Sequence, residues 1–338
     1  MRLSRLNPLI FLLAPVGPCD GTGTMSAPPL TPTATEIAMS FERTGRFWEA
    51  PFPSDDLLHP NGRVDLSRFP NPDHVQLVSQ SLALLADTKG FAQSAGIFFS
   101  ASAPIDPASL PGIEGSLGRD ASVFVAEVGS DRREPVDVAF VADGGPYGTP
   151  NMIAILPVQG RPLRAGTTYA AVVTTRVRDA NGNALRPAKA IADLVAGRRP
   201  DGLSDAAFEH YRAALPNLAK YLGTYATDIA ALTVFTTGKP TVELSAVVGD
   251  MRGRPLPALA VPKRSDVYDD YCVYDSTISL PVYQTGTPPY AKEGGGWRFE
   301  QDGKPVLDHM ETARVIFTVP RAKPPAGGWP LVLFVRTG

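Results

Sequence analysis

Between residues 97 and 177 the chain is built from short stretches in which apolar and polar positions alternate with a period of two. The stretches 121–129 (ASVFVAEVG) and 134–142 (EPVDVAFVA) have this pattern, and 97–99, 151–158 and 167–177 join them as short β-rich runs. An alternating run puts every second side chain on one face of a sheet. Turn signals separate the runs: a proline-set turn at APIDPASL and the Asp179-Ala180-Asn181-Gly182 tetrapeptide. Short strands at this spacing predict two packed antiparallel sheets over 93–187. The inward side chains are then Phe98, Val123, Val125, Val138, Ile153, Ile155, Tyr169 and Val172.

The period changes outside this span. Residues 73–87 (DHVQLVSQSLALLAD) have Leu and Val at helical spacing, and Gly90 follows as a stop. An amphipathic helix is predicted there, after a proline-broken ordered loop, so that 47–92 is a loop and a helix. Residues 188–256 predict a helical linker. Within it Ser204 is an N-cap, Asp205 sits in the first turn and Gly223 ends the second helix. A strand at 232–236 and a helix from Thr241 complete it. Alternation returns at 268–283, a hairpin is predicted around Asp302-Gly303, and 312–320 is a further strand. The last run, 331–335 (LVLFV), is continuously apolar, as in a strand buried on both faces of a parallel sheet. Such a strand needs neighbours and a following crossover. The run therefore reads as the beginning of a domain, 257–338, that is cut short. The fold class predicted is mainly β with a helical linker, α+β.

Composition narrows the picture. The chain has 338 residues, enough for two domains. Its 34 prolines, about double the usual ~5%, favour short strands and loops over long helices. Net charge is -2 with the basic residues scattered, which gives no footprint for nucleic acid. Arg2 and Arg5 precede an apolar stretch, 6–16, too short to span a bilayer. Cys19 follows, with Pro18 just before it. Residues 1–19 thus resemble a bacterial lipoprotein signal, which implies lipidation of Cys19. The other readings are an ordinary signal peptide, or a true start at Met25. Either signal reading implies export: periplasmic, outer-membrane-anchored or extracellular. A membrane is touched only through that anchor. Residues 20–36 are rich in Gly, Thr, Ser and Pro, and 20–46 is expected to be a flexible tether.

Candidate chemistry is sparse. No Gly-x-Ser-x-Gly occurs. Ser116, in IEGSLG, lacks the glycine two residues before it and is expected in a structural loop. Cys272 lies in a strand pattern without a neighbouring histidine and reads as a half-buried thiol rather than a nucleophile. His59, His74, His210 and His309 have no metal-ligand spacing, and solvated or locally bonded imidazoles are expected. Asp55-Asp56 and the group Asp266, Asp269, Asp270 and Asp275 are acidic, but without EF-hand spacing a solvated face is favoured over calcium. No catalytic, cofactor-binding or metal-binding residue is assigned, and no cofactor is expected.

Two resemblances add to this reading. FSASAPIDPASL followed by LRAGTTYAAVVTTRVRDANGNAL resembles the bacterial Ig-like domains of secreted and surface proteins. That implies an Ig-like sandwich serving as a spacer or binding accessory. The whole order after residue 47, with VFTT in the linker and GGWPLVLFV at the end, resembles exported bacterial α/β hydrolases of the lipase-like kind. The sequence departs from them at VRTG, where an oxyanion loop such as HGTG would stand. The resemblance implies the non-catalytic front part of an ester hydrolase. The alternative is a self-contained surface or lipoprotein binding module that docks a polymer or a protein.

Overall fold

A computed structural model describes residues 34–290 and 294–334. Residues 1–33, with Cys19 and the signal-like segment, lie outside the described residues. Ten strands follow in chain order: β1 Ile97–Ser100, β2 Val123–Glu127, β3 Arg133–Glu134, β4 Val136–Val141, β5 Met152–Pro157, β6 Thr168–Thr174, β7 Ile229–Thr236, β8 Lys263–Val267, β9 Tyr271–Val282 and β10 His309–Pro320. The α-helices are α1 Gln76–Ala86, α2 Lys189–Val195, α3 Asp205–Leu222 and α4 Val242–Gly253. The fold is mixed α+β and mostly sheet, with three antiparallel sheets among the described residues.

The first sheet has the order β1-β5-β4 and the second β3-β2-β6-β7. Both feed one apolar core, in which Phe99, Ile153 and Ile155 of the first sheet join Val123, Tyr169 and Val172 of the second. No helix interrupts 121–177 for more than a single short turn. Six of the eight predicted inward residues, Val123, Val125, Ile153, Ile155, Tyr169 and Val172, are fully buried. Phe98 and Val138 are only partly buried. Strand β1 is one residue out of phase with the prediction: Ile97 and Phe99 fill the core, and Phe98 turns to the other side against Trp48, ring centroids 5.6 Å apart. Val138 lies on β4, an edge strand with a neighbour on one side only.

Strands β6 and β7 do not alternate. Every residue of β7 but Thr236 is buried, because α2, α3 and the Asp55–Leu57 turn pack on this strand and its apolar side chains join the shared core. A strand covered on both faces is apolar throughout. Strand β7 pairs with β6 from Thr168↔Thr236 to Thr174↔Ile229. The second sheet therefore reaches beyond residue 187, into the span expected to be linker. The α3 caps form as predicted: Ser204 Oγ accepts from Ala207 N at 3.2 Å, and Gly223 is left-handed at φ 63°.

The N-terminal side departs from the expected tether. Ile37, Met39 and Phe41 are buried, and Ile37 bridges Ala101 beside β1. This stretch is part of the core, since three large apolar residues in five positions have a sheet edge to cover. Helix α1 forms where the spacing predicts it, but none of its residues is buried, and Leu77 and Leu84 are 71% and 74% exposed.

The third sheet, β8-β9-β10, is nearly devoid of buried side chains. Phe317 stacks on Tyr274 across the β9–β10 pair at 5.5 Å. The expected terminal strand is not formed at 331–334: these residues have no strand partner and are 83–92% exposed. Five apolar residues in a row set a strand propensity, but a strand exists only where a neighbour accepts its backbone hydrogen bonds. Val335 is outside the described residues.

Candidate functional site

The densest polar cluster grows from the segment FPSDD. Ser54 is extended, and a single tight turn, Asp55–Leu57, follows it. That turn sends the two adjacent acids in different directions. Asp55 reaches β7 and α3: Thr236 N and Thr236 Oγ1 donate to it at 2.7 and 2.9 Å, and His210 Nδ1 lies 2.6 Å from its Oδ2. The side chain of Asp55 is 2% exposed and that of His210 is 47% exposed. The bond to Asp55 lifts the His210 imidazole above its ordinary 6.5, against a smaller opposing effect of burial.

Asp56 turns to Arg43, whose Nε donates at 3.2 Å, and both side chains are 4% exposed. Burial raises the Asp56 carboxyl above its ordinary 3.8 and outweighs the guanidinium beside it. Arg43 also donates to the carbonyls of Phe47, Ala50 and Pro51. It ties a whole loop together with one fork of donors. Between the two acids, Ser54 Oγ meets Tyr211 OH at 2.7 Å, and Tyr211 OH meets Thr233 Oγ1 at 3.2 Å. Burial pushes the Tyr211 hydroxyl far up its range.

An imidazole oriented by a buried carboxylate is the base-and-orienter half of a nucleophilic site. The other half is not supplied nearby. Ser54 is fully buried and bonded to Tyr211. Among the described residues no hydroxyl or thiol is hydrogen-bonded to His210 Nε2. What the cluster does do is clamp the N-terminal segment onto α3 and β7 across more than 150 positions of sequence.

The remaining candidates are dispersed. Ser116 is buried in a tight turn, where its Oγ donates to Ile113 O at 2.6 Å and accepts from Val136 N at 3.1 Å. Cys272 is half-buried on β9 opposite Val319. His309 bonds its neighbour Asp308 at 2.9 Å. His59 and His74 line a groove of about 970 Å³ between the 59–74 loop and α1, together with Arg63, Leu66, Phe69 and Leu82. His74 has φ 51°, a left-handed conformation that is uncommon outside glycine. Asp275 pairs with Arg314 across β9–β10, which holds its carboxyl below the usual range. Asp55, Asp56 and Asp275 thus each serve a different protein partner, and no three acidic, His or Cys side chains converge as metal ligands among the described residues. The positions of Asp55 and His210 in the sequence do not reveal their pairing. The one local signal was a polar Ser-Asp-Asp triplet between apolar, proline-rich flanks. Against known proteins, no family model matches the chain, and no curated protein matches it either.

Proposed function

We propose that this chain is the non-catalytic front part of an exported, lipase-like α/β hydrolase, in which an Ig-like sandwich and a helical linker support the first strands of the catalytic sheet. The observation that carries the reading is the third sheet. Directly opposed residues share a face, so Tyr274, Ile278 and Leu280 of β9 lie on the same side as Phe317, Ala313 and Val319 of β10, a mostly apolar side whose polar positions are Ser276, Glu311 and His309. None of these six is buried among the described residues. An apolar face of this size is what a further layer of a larger domain would cover. The exposed Leu331, Val332, Leu333 and Phe334 add to the same demand. The two sheets that share one core support the sandwich part of the proposal.

The test has two arms. Purified chain should not hydrolyse p-nitrophenyl butyrate above the buffer rate. Sequencing the locus past the codon for Gly338 should reveal Gly-x-Ser-x-Gly, then an acid and a histidine, in a continuing or adjacent frame. Hydrolysis by the chain alone, or a locus without such a set, overturns the reading. A self-contained surface binding module is the second reading, favoured by the α1 groove. Retention of the chain on a polymer from the producing cell's surface, abolished by Leu82→Asp, would favour it.

A further inference from the structure

Strand β10 has a neighbour on one side only: the sheet order is β10-β9-β8, and among the described residues no other strand or bridge pairs with β10. The orientation of its backbone follows from the register. Arg321 N donates to Asp270 O at 2.9 Å, directly continuing the pairing that runs Pro320↔Tyr271, Val319↔Cys272. In an antiparallel ladder bonded and non-bonded pairs alternate. The odd-numbered residues of β10 therefore bond β9, and Thr312, Arg314, Ile316 and Thr318 turn their N–H and C=O groups to the free edge. Pro320, which has no N–H, falls in this outward set.

A free edge of this length is a template for another strand. Natural edges are guarded by lysines, bulges or shortness. β10 has twelve residues, no lysine and no register shift; its guards are the terminal proline and the charges of Glu311 and Arg314, the second of which is paired with Asp275. We propose that β10 is a dimerisation edge, and that its occupant is β10 of a second copy of this chain, paired antiparallel about a two-fold axis through Val315. This inference goes beyond the hydrolase reading and does not rest on it.

The strand is self-complementary in that register. Val315 faces its own copy in a non-bonded pair. Arg314 pairs with the partner copy's Ile316 and Thr312 with its Thr318, all through outward backbone groups, so the two threonine hydroxyls meet across the seam. Ala313 falls opposite the second Phe317, small against large. No like charges face one another, whereas centring the pair on Arg314 would set guanidinium against guanidinium. The charge of Arg314 is met within its own chain by Asp275. A two-fold axis perpendicular to the sheet keeps odd residues on one face. The side that carries Ala313, Val315, Phe317 and Val319 then continues across both copies, with Glu311 opposite the second Val319.

The test uses the full chain. At about 50 μM, where an interface of micromolar affinity is filled, sedimentation equilibrium should give twice the chain mass of 36.0 kDa. Val315→Lys and Val315→Glu should each sediment as monomers with unchanged far-ultraviolet dichroism, and an equimolar mixture of the two should return to the dimer mass. In a Cys19→Ser, Cys272→Ser background, Val315→Cys should form an interchain disulfide. The Cα separation in a non-bonded antiparallel pair, about 4.5 Å, is within disulfide reach. Ser245→Cys in the same background should not. A monomeric native chain, or association that is unaffected by both charge variants, overturns the proposal. If both charge variants unfold, the Val315→Cys disulfide decides: its failure to form at that concentration overturns the proposal too.

Discussion

His210 Nδ1 stands 2.6 Å from Asp55 Oδ2, and the two residues are 155 positions apart in the chain. The bond joins an N-terminal turn to a helix packed on the second sheet, so its strength affects how the two halves of the core are held. His210 has a folded-state value raised above 6.5. Its contribution is fully present below pH 6.5 and is lost as pH rises through the raised value. Thermal stability of the native chain should therefore fall relative to His210→Gln as pH rises from about 6 to 9. Parallel melting curves for the two proteins across that range would reject the linkage.

Arg43 and Asp56 form the most buried ion pair of the molecule's described part. Removing one member leaves the other charge without its partner in a nearly dry site. Arg43→Met should cost about 3–5 kcal/mol in urea unfolding. Adding Asp56→Leu to it should recover part of that loss, because the stranded carboxylate is gone. A double variant as unstable as the sum of the two single ones would show that the arginine acts only through the three carbonyls it binds.

Phe98 and Phe99 are adjacent and chemically identical, yet Phe99 is fully buried and Phe98 is not. Phe99→Ala should cost about 3–5 kcal/mol. Phe98→Ala should cost distinctly less, since the ring is only partly buried, packed on Trp48 and the edge of the core. Equal losses by chemical denaturation would contradict the phase of β1.

Leu331, Val332, Leu333 and Phe334 are more than four-fifths exposed. Ending the chain near Lys323 removes this apolar run and touches no strand. Light scattering at fixed concentration should show less aggregation, with the melting temperature unchanged. A drop in melting temperature would mean that the run packs on the folded body.

The elements most legible in the sequence were those with a local cause. The α3 caps follow from Ser204 and Gly223, and strands β2, β5 and β6 from their own residues. Elements whose state depends on a distant partner were harder. Residues 331–334 have strand composition but no acceptor for their backbone groups. Strand β1 is legible in the sequence but its phase is not, because Ile97-Phe98-Phe99 has no polar position to fix which side faces inward. The Asp55–His210 pair was invisible for a related reason: the register of β7 and the turn at Ser54 together bring the two side chains into contact, and neither is encoded near either residue.

Strand β7 lies beside β6 in the sheet, while α2 and α3 fill the chain between them. The second sheet is thus fastened by a piece of chain that arrives late. A protease that cuts in the exposed turn at 197–199 would sever the backbone without separating the halves. The nicked protein should elute as one body and part into two bands only once unfolded, because the hydrogen bonds between β6 and β7 bridge the cut. A boundary mapped from such fragments would fall where the chain is thin, not where the fold divides.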